Sequence, residues 1–90
     1  MKVEKISGIG EYEREGEKYL INGKAFLVEH KNTVEVRCDR ELAEKLIGEY
    51  ESVMESKYFG RGGIEIVMSG QLSDDEVEDL VRLSYNLTKS

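Results

Sequence analysis

The chain has 90 residues, with 39% hydrophobic and 36% charged residues, 19 acids against 13 bases and a net charge of −6. That size and balance describe one soluble domain over residues 1–90 with a densely charged surface, able to build a single core without staples. The acidic sum disfavours a nucleic-acid backbone as partner and suits cations or basic partners. The single cysteine, Cys38, leaves no intramolecular disulfide and points to a reducing compartment. No apolar run approaches the ~18 residues of a membrane span, and Met1-Lys2-Val3-Glu4 opens no secretory signal, so the expected location is cytoplasmic. Abundant Lys and Glu lean towards a heat-adapted source, whereas the absence of proline does not.

In chain order, Val3 to Ile6 reads as a short strand, interrupted by Gly8-Ile9-Gly10. Glu11 to Arg14 is a second strand, Glu15-Gly16-Glu17 a turn and Lys18 to Ile21 a third strand. Asn22-Gly23 is the strongest hairpin signal in the chain, because both central residues of a type I′ turn need positive φ. Lys24 to His30 and Thr33 to Cys38 follow as strands around a Lys31-Asn32 turn. With two-residue loops, Leu20 opposes Ala25 and Tyr19 opposes Phe26; Leu27 opposes Val36 and Ala25 opposes Cys38. Opposed residues share a face, so Leu20, Ala25, Leu27, Val34, Val36 and Cys38 form the core face. The second face then carries Tyr19, Ile21, Phe26 and Val28, with Glu35, Arg37 and His30 around them. It is too apolar for solvent alone, and another segment or a partner should cover it.

Asp39 caps a helix predicted over Arg40 to about Met54, from the spacing of Leu42, Ala43, Leu46, Ile47, Tyr50, Val53 and Met54. Lys57 to Gly63 reads as a loop, Ile64 to Met68 as a strand and Ser69-Gly70 as a turn. Ser73 starts the last helix, with Glu76 completing a capping box. Strands, helix, strand, helix imply an α+β fold: an antiparallel sheet of about five to six short strands with two helices packed on one face.

Asn22-Gly23-Lys24-Ala25-Phe26, Arg37-Cys38-Asp39-Arg40-Glu41-Leu42-Ala43, Tyr58-Phe59-Gly60-Arg61-Gly62-Gly63, Gly70-Gln71-Leu72-Ser73-Asp74-Asp75-Glu76 and Ser84-Tyr85-Asn86-Leu87 occur in an order that resembles the MmcQ/YjbR-like family, over roughly residues 20–88. The resemblance implies an α+β fold and a DNA-binding role. Three features depart from the family pattern. Strand-like sequence replaces the usual N-terminal helix, Ile64 stands where a tryptophan is usual, and Ser73 replaces a proline.

Five carboxylates fall between Asp74 and Asp79. Capping and the helix dipole account for those in the first turn. The Asp75/Asp79 pair, at i and i+4, is left over, at a like-charge cost of ~0.2–0.5 kcal/mol. Glu51 and Glu55 gather at the predicted far end of the first helix, where the dipole disfavours carboxylates and free carbonyls add oxygen ligands for a hard cation. Glu51, Glu55, Asp75 and Asp79 are therefore the candidate metal residues, for Ca²⁺ before Mg²⁺, although a solvated charged face would look the same. Arg61 on the Gly60-Arg61-Gly62-Gly63 loop, which lacks the P-loop ending, Tyr58 just before that loop and Lys24 after the Asn22-Gly23 turn are candidates for an anion or nucleic acid. Tyr19, Ile21, Phe26 and Val28 are candidates for a protein interface or self-association. His30 and Cys38 lie on opposite faces and ~16 Å apart in this register, so no catalytic dyad is expected. The residues read as a non-enzymatic acidic binding module, with no organic cofactor.

Overall fold

In the computed structural model, which describes Met1–Ser90 throughout, the chain begins with a single 3-10 turn, Val3–Lys5. A strand was expected here. Val3 and Ile6 stand three residues apart, so the tighter turn puts both on one side, and both are buried in the core. The strands are β1 (Glu13–Glu15), β2 (Lys18–Ile21), β3 (Lys24–Glu29) and β4 (Thr33–Arg37), followed by α1 (Arg40–Glu49), β5 (Val53–Ser56), β6 (Gly60–Val67) and α2 (Asp74–Lys89). The sheet order is β1-β2-β3-β4-β6-β5, and every neighbouring pair is antiparallel. Asn22 and Gly23 both take positive φ, 53° and 76°, as the hairpin requires.

A bulge changes the register that two-residue loops imply. Leu20 opposes Ala25 as expected, but Tyr19 opposes Leu27 rather than Phe26. Phe26 is the extra residue on β3. Because side chains alternate with period two, one extra residue moves its neighbours across the sheet. Phe26 turns under α2 and is fully buried, edge-on to Tyr85 at 5.0 Å between ring centroids. Tyr19, 4% exposed, joins the same core. The expected apolar second face of Tyr19, Ile21, Phe26 and Val28 is thus corrected. Tyr19 and Phe26 are core, Ile21 is half-buried beside it, and Val28 alone stays on the second face, opposite Glu35. At the bulge, Ser84 of α2 ties helix to sheet. Its hydroxyl donates to the Phe26 carbonyl at 2.6 Å and accepts from the Arg37 amide at 2.8 Å.

Asp39 caps α1 by accepting from the Leu42 amide, and Ser73 and Glu76 form the complete capping box of α2. Helix α1 ends at Glu49, not near Met54. Val53 and Met54 satisfy helical spacing and strand alternation equally well; the sheet decides, burying Val53 opposite Ile66 while Met54 stays exposed. The predicted loop Lys57 to Gly63 shrinks to the turn Lys57–Phe59, because β6 already starts at Gly60. Both helices pack on one face, α1 against β5 and β6, α2 against β3 and β4. Leu27, Val34, Val36, Val53, Ile64 and Ile66 meet Val77, Val81 and Tyr85 there.

Alternation sends Val28, Glu35 and Glu65 to the opposite face of the sheet. The Lys57–Phe59 turn folds back over this face. Phe59 lies against Gly63, where a side chain would collide with it, and the Arg37 guanidinium sits 4.9 Å above its ring.

Candidate functional site

Two central strands each place a glutamate between β-branched neighbours, Val34-Glu35-Val36 on β4 and Ile64-Glu65-Ile66 on β6. The valines and isoleucines drive their face into the core, so the glutamates must point the other way. Glu35 and Glu65 are register partners, and they are only 3% and 6% exposed.

Each carboxylate is held by named donors. Glu35 Oε1 accepts from the Ser56 hydroxyl at 2.7 Å and the Tyr58 amide at 2.9 Å. Its other oxygen, Oε2, lies 2.6 Å from His30 Nε2. Glu65 Oε2 accepts from the Thr33 hydroxyl at 2.7 Å, whereas Glu65 Oε1 is buried with no hydrogen-bond partner. On the other side of the imidazole, His30 Nδ1 lies 3.2 Å from Glu17 Oε2. His30, Glu35 and Glu65 each present one ligand atom, and these atoms all lie within 4.8 Å of one another.

The electrostatics follow from these contacts. Burial by itself would raise the pKa of Glu35, but the Tyr58 amide, the His30 imidazole and the Ser56 hydroxyl outweigh it and hold it below the ordinary carboxylate value. The bond to Glu35 raises His30 above the ordinary imidazole value; burial opposes this, and the charges of Glu35, Glu17 and Glu65 add to it. The three side chains form the floor of a cleft of about 730 Å³, whose walls include Val28, Tyr58, Lys18 and Lys57. Lys18 Nζ lies 5.5 Å over the Tyr58 ring.

Of the candidate site residues singled out from sequence, only Tyr58 and Val28 line this cleft. Glu51 does lie just past the C-cap of α1, Tyr50, but Glu55 is exposed on the edge strand β5, so the pair expected together at the helix end is split. Asp75 is exposed in the first turn of α2, and Asp79 is engaged by Arg82 at 2.6 Å. These four join no group of three ligand residues; the one such group is His30, Glu35 and Glu65. Tyr58 lines the cleft, but Arg61 lies in a separate groove with Arg40, Glu44 and Glu55, and Lys24 is exposed at the start of β3. Cys38 is buried in the core, where burial first, and then Asp39, push its thiol up to about 11. Sequence reasoning passed over Glu35 and Glu65. The legible signal was an acid inside each of two apolar strands, a position where burial makes a bare charge expensive.

A family model described as YjbR matches residues 8–87, reaching further towards the N-terminus than the motifs from residue 20 onward. No curated protein and no solved structure matches the chain. No helix is long and apolar enough to cross a membrane.

Proposed function

The chain belongs to the YjbR family, and we propose that it is a binding module whose ligand is a divalent transition-metal cation, held by His30, Glu35 and Glu65 in the cleft on the second sheet face. The observation that carries this reading is Glu65 Oε1, a buried carboxylate oxygen without a partner, on a residue directly opposite a second buried carboxylate. Like charges opposed across a sheet destabilise it, and a buried charge wants a counter-charge or a metal. One protonated imidazole can balance one of the two carboxylates. A divalent cation balances both.

The outer contacts fit a metal ligand set. An imidazole that binds metal through one nitrogen commonly donates its other N–H to a carboxylate, which fixes tautomer and ring orientation. Here Nε2 faces Glu35 while Nδ1 faces Glu17. Ser56, the Tyr58 amide and Thr33 orient the two carboxylates in the same way. A nitrogen ligand beside two carboxylates favours Zn²⁺ or Fe²⁺ over Ca²⁺, which prefers six to eight oxygens. This site therefore replaces the surface carboxylates Glu51, Glu55, Asp75 and Asp79 as the cation candidate, and Zn²⁺ replaces Ca²⁺ as the first ion to try.

Calorimetric titration of the chelator-stripped chain with Zn²⁺ tests the proposal. One saturable site per chain is expected, lost in Glu65→Gln and His30→Ala and retained in Asp75→Asn and Glu51→Gln. Absence of saturable heat, together with unmoved His30, Glu35 and Glu65 resonances, would overturn it.

A further inference from the structure

The cleft is larger than a metal site requires. About 730 Å³ falls within the range of small-molecule sites, which are roughly 300–1,000 Å³. Three protein ligands also leave a cation at least one open position, the arrangement of metal sites that take up a substrate or water. The cleft walls supply complementary chemistry. Lys18 and Lys57 line the cleft, and neither is engaged in an ion pair, although three carboxylates line the same space. Val28 and the half-exposed Tyr58 ring give an apolar wall beside them.

We infer, on the basis of the cation reading above, that the metal-loaded cleft takes a small organic anion, its carboxylate shared between the metal's open position and Lys18 and Lys57, and its apolar body against Tyr58 and Val28. Charge decides the order of binding. Counting Glu17, Glu35 and Glu65 against Lys18 and Lys57, the metal-free cleft is negative by one with His30 neutral and balanced with it protonated, so in neither state does it attract an anion. A divalent cation makes the same cleft positive by one, and the anion is then attracted. Metal and anion are thus coupled, each strengthening the other by the same factor. A carboxylate fits better than a phosphate ester, because no arginine lines the cleft to make the bidentate contacts that phosphate recognition favours.

Benzoate is a suitable probe, having one carboxylate and one ring. Two titrations on the full chain separate this inference from the cation reading. Zn²⁺ alone is titrated first, and benzoate is then titrated with and without Zn²⁺, following the amide resonances of Lys18, Val28 and Tyr58. Saturable shifts are expected with Zn²⁺ bound, and binding weaker by roughly tenfold or more without it, within the usual range of such coupling. Lys18→Met with Lys57→Met should weaken benzoate while leaving Zn²⁺ binding in place. Zn²⁺ binding with no benzoate shift up to its solubility limit overturns this inference and leaves the cation reading intact. Equal benzoate binding with and without Zn²⁺ overturns the coupling. Failure of Zn²⁺ itself to bind overturns both.

Discussion

Glu35 and Glu65 face each other across β4 and β6, both almost wholly buried, and only one of the two has its carboxylate fully supplied with donors. A pair of like charges placed this way costs stability in the metal-free chain. Glu65→Gln keeps the shape, keeps an oxygen to accept from Thr33 and removes one charge. In the presence of a chelator it should stabilise the chain by about 1 kcal/mol, or roughly 4–8 °C in Tm for a domain of this size. With excess Zn²⁺ the order should reverse, because only the wild-type chain gains from the ion. Paired thermal melts read both signs; a variant less stable than wild type in chelator would count against the account of strain.

Ser84 stands where the β3 bulge meets α2, and its hydroxyl serves the Phe26 carbonyl and the Arg37 amide at once. Ser84→Ala leaves both backbone groups without that partner in a buried place. An unsatisfied buried group costs ~1–3 kcal/mol, so a loss of about 2 kcal/mol is expected in urea unfolding. A loss no larger than that of an exposed control such as Ser90→Ala would show that the bulge does not depend on the hydroxyl.

A Cβ at Gly63 would fall 2.6 Å from both the Phe59 Cβ and the Val36 carbonyl oxygen. Neither neighbour is a flexible side-chain end. Gly63→Ala should therefore cost about 1–3 kcal/mol, and it should also push away the turn that carries Tyr58. The Tyr58 amide is one of the donors on Glu35. The expected signature is a lower Tm together with weakened Zn²⁺ affinity, whereas Gly62→Ala, with no contact closer than 3.7 Å, should change neither much.

Two buried acids should titrate late. Burial foremost, and then the hydrogen bond to Glu29, push the Tyr19 hydroxyl up to about 12; burial does the same for Cys38, to about 11. In both cases the fold favours the neutral form and the folded pKa lies above the unfolded one. Their stabilising contribution is complete below the unfolded values and is lost as pH rises through about 11 and then about 12. Tyrosinate absorbance should show a late-titrating component that is removed in Tyr19→Phe. Cys38 should resist a disulfide reagent at pH 8 in the folded chain and react promptly when urea unfolds it.

Much of the frame was legible because its signals are local. Asn22-Gly23 demands positive φ, Asp39 and Ser73 satisfy helix N-terminal amides, and the alternation in β4 is visible in five consecutive residues. These features together imply the antiparallel sheet with two helices. Strand β5 was not legible, because Val53 and Met54 fit either period and only pairing with β6 chooses between them. The bulge at Phe26 was not legible either. It depends on Ser84 and Tyr85 arriving from the far end of the chain to occupy the space it creates.

The sequence by itself determined the capped helices, the tight turns, the acidic surface and the turning of two glutamates away from their β-branched neighbours, since each depends on chemistry within a few positions. Tertiary structure alone decided which carboxylates meet. Glu35 and Glu65 are separated in the chain by α1 and β5, and the β4–β6 pairing, with His30 reaching in from the end of β3, makes them one site. The acids that cluster in sequence, from Asp74 to Asp79, stay at a helix start in solvent. Adjacency along a helix spreads charges into water, whereas adjacency across a sheet can press two of them together under cover.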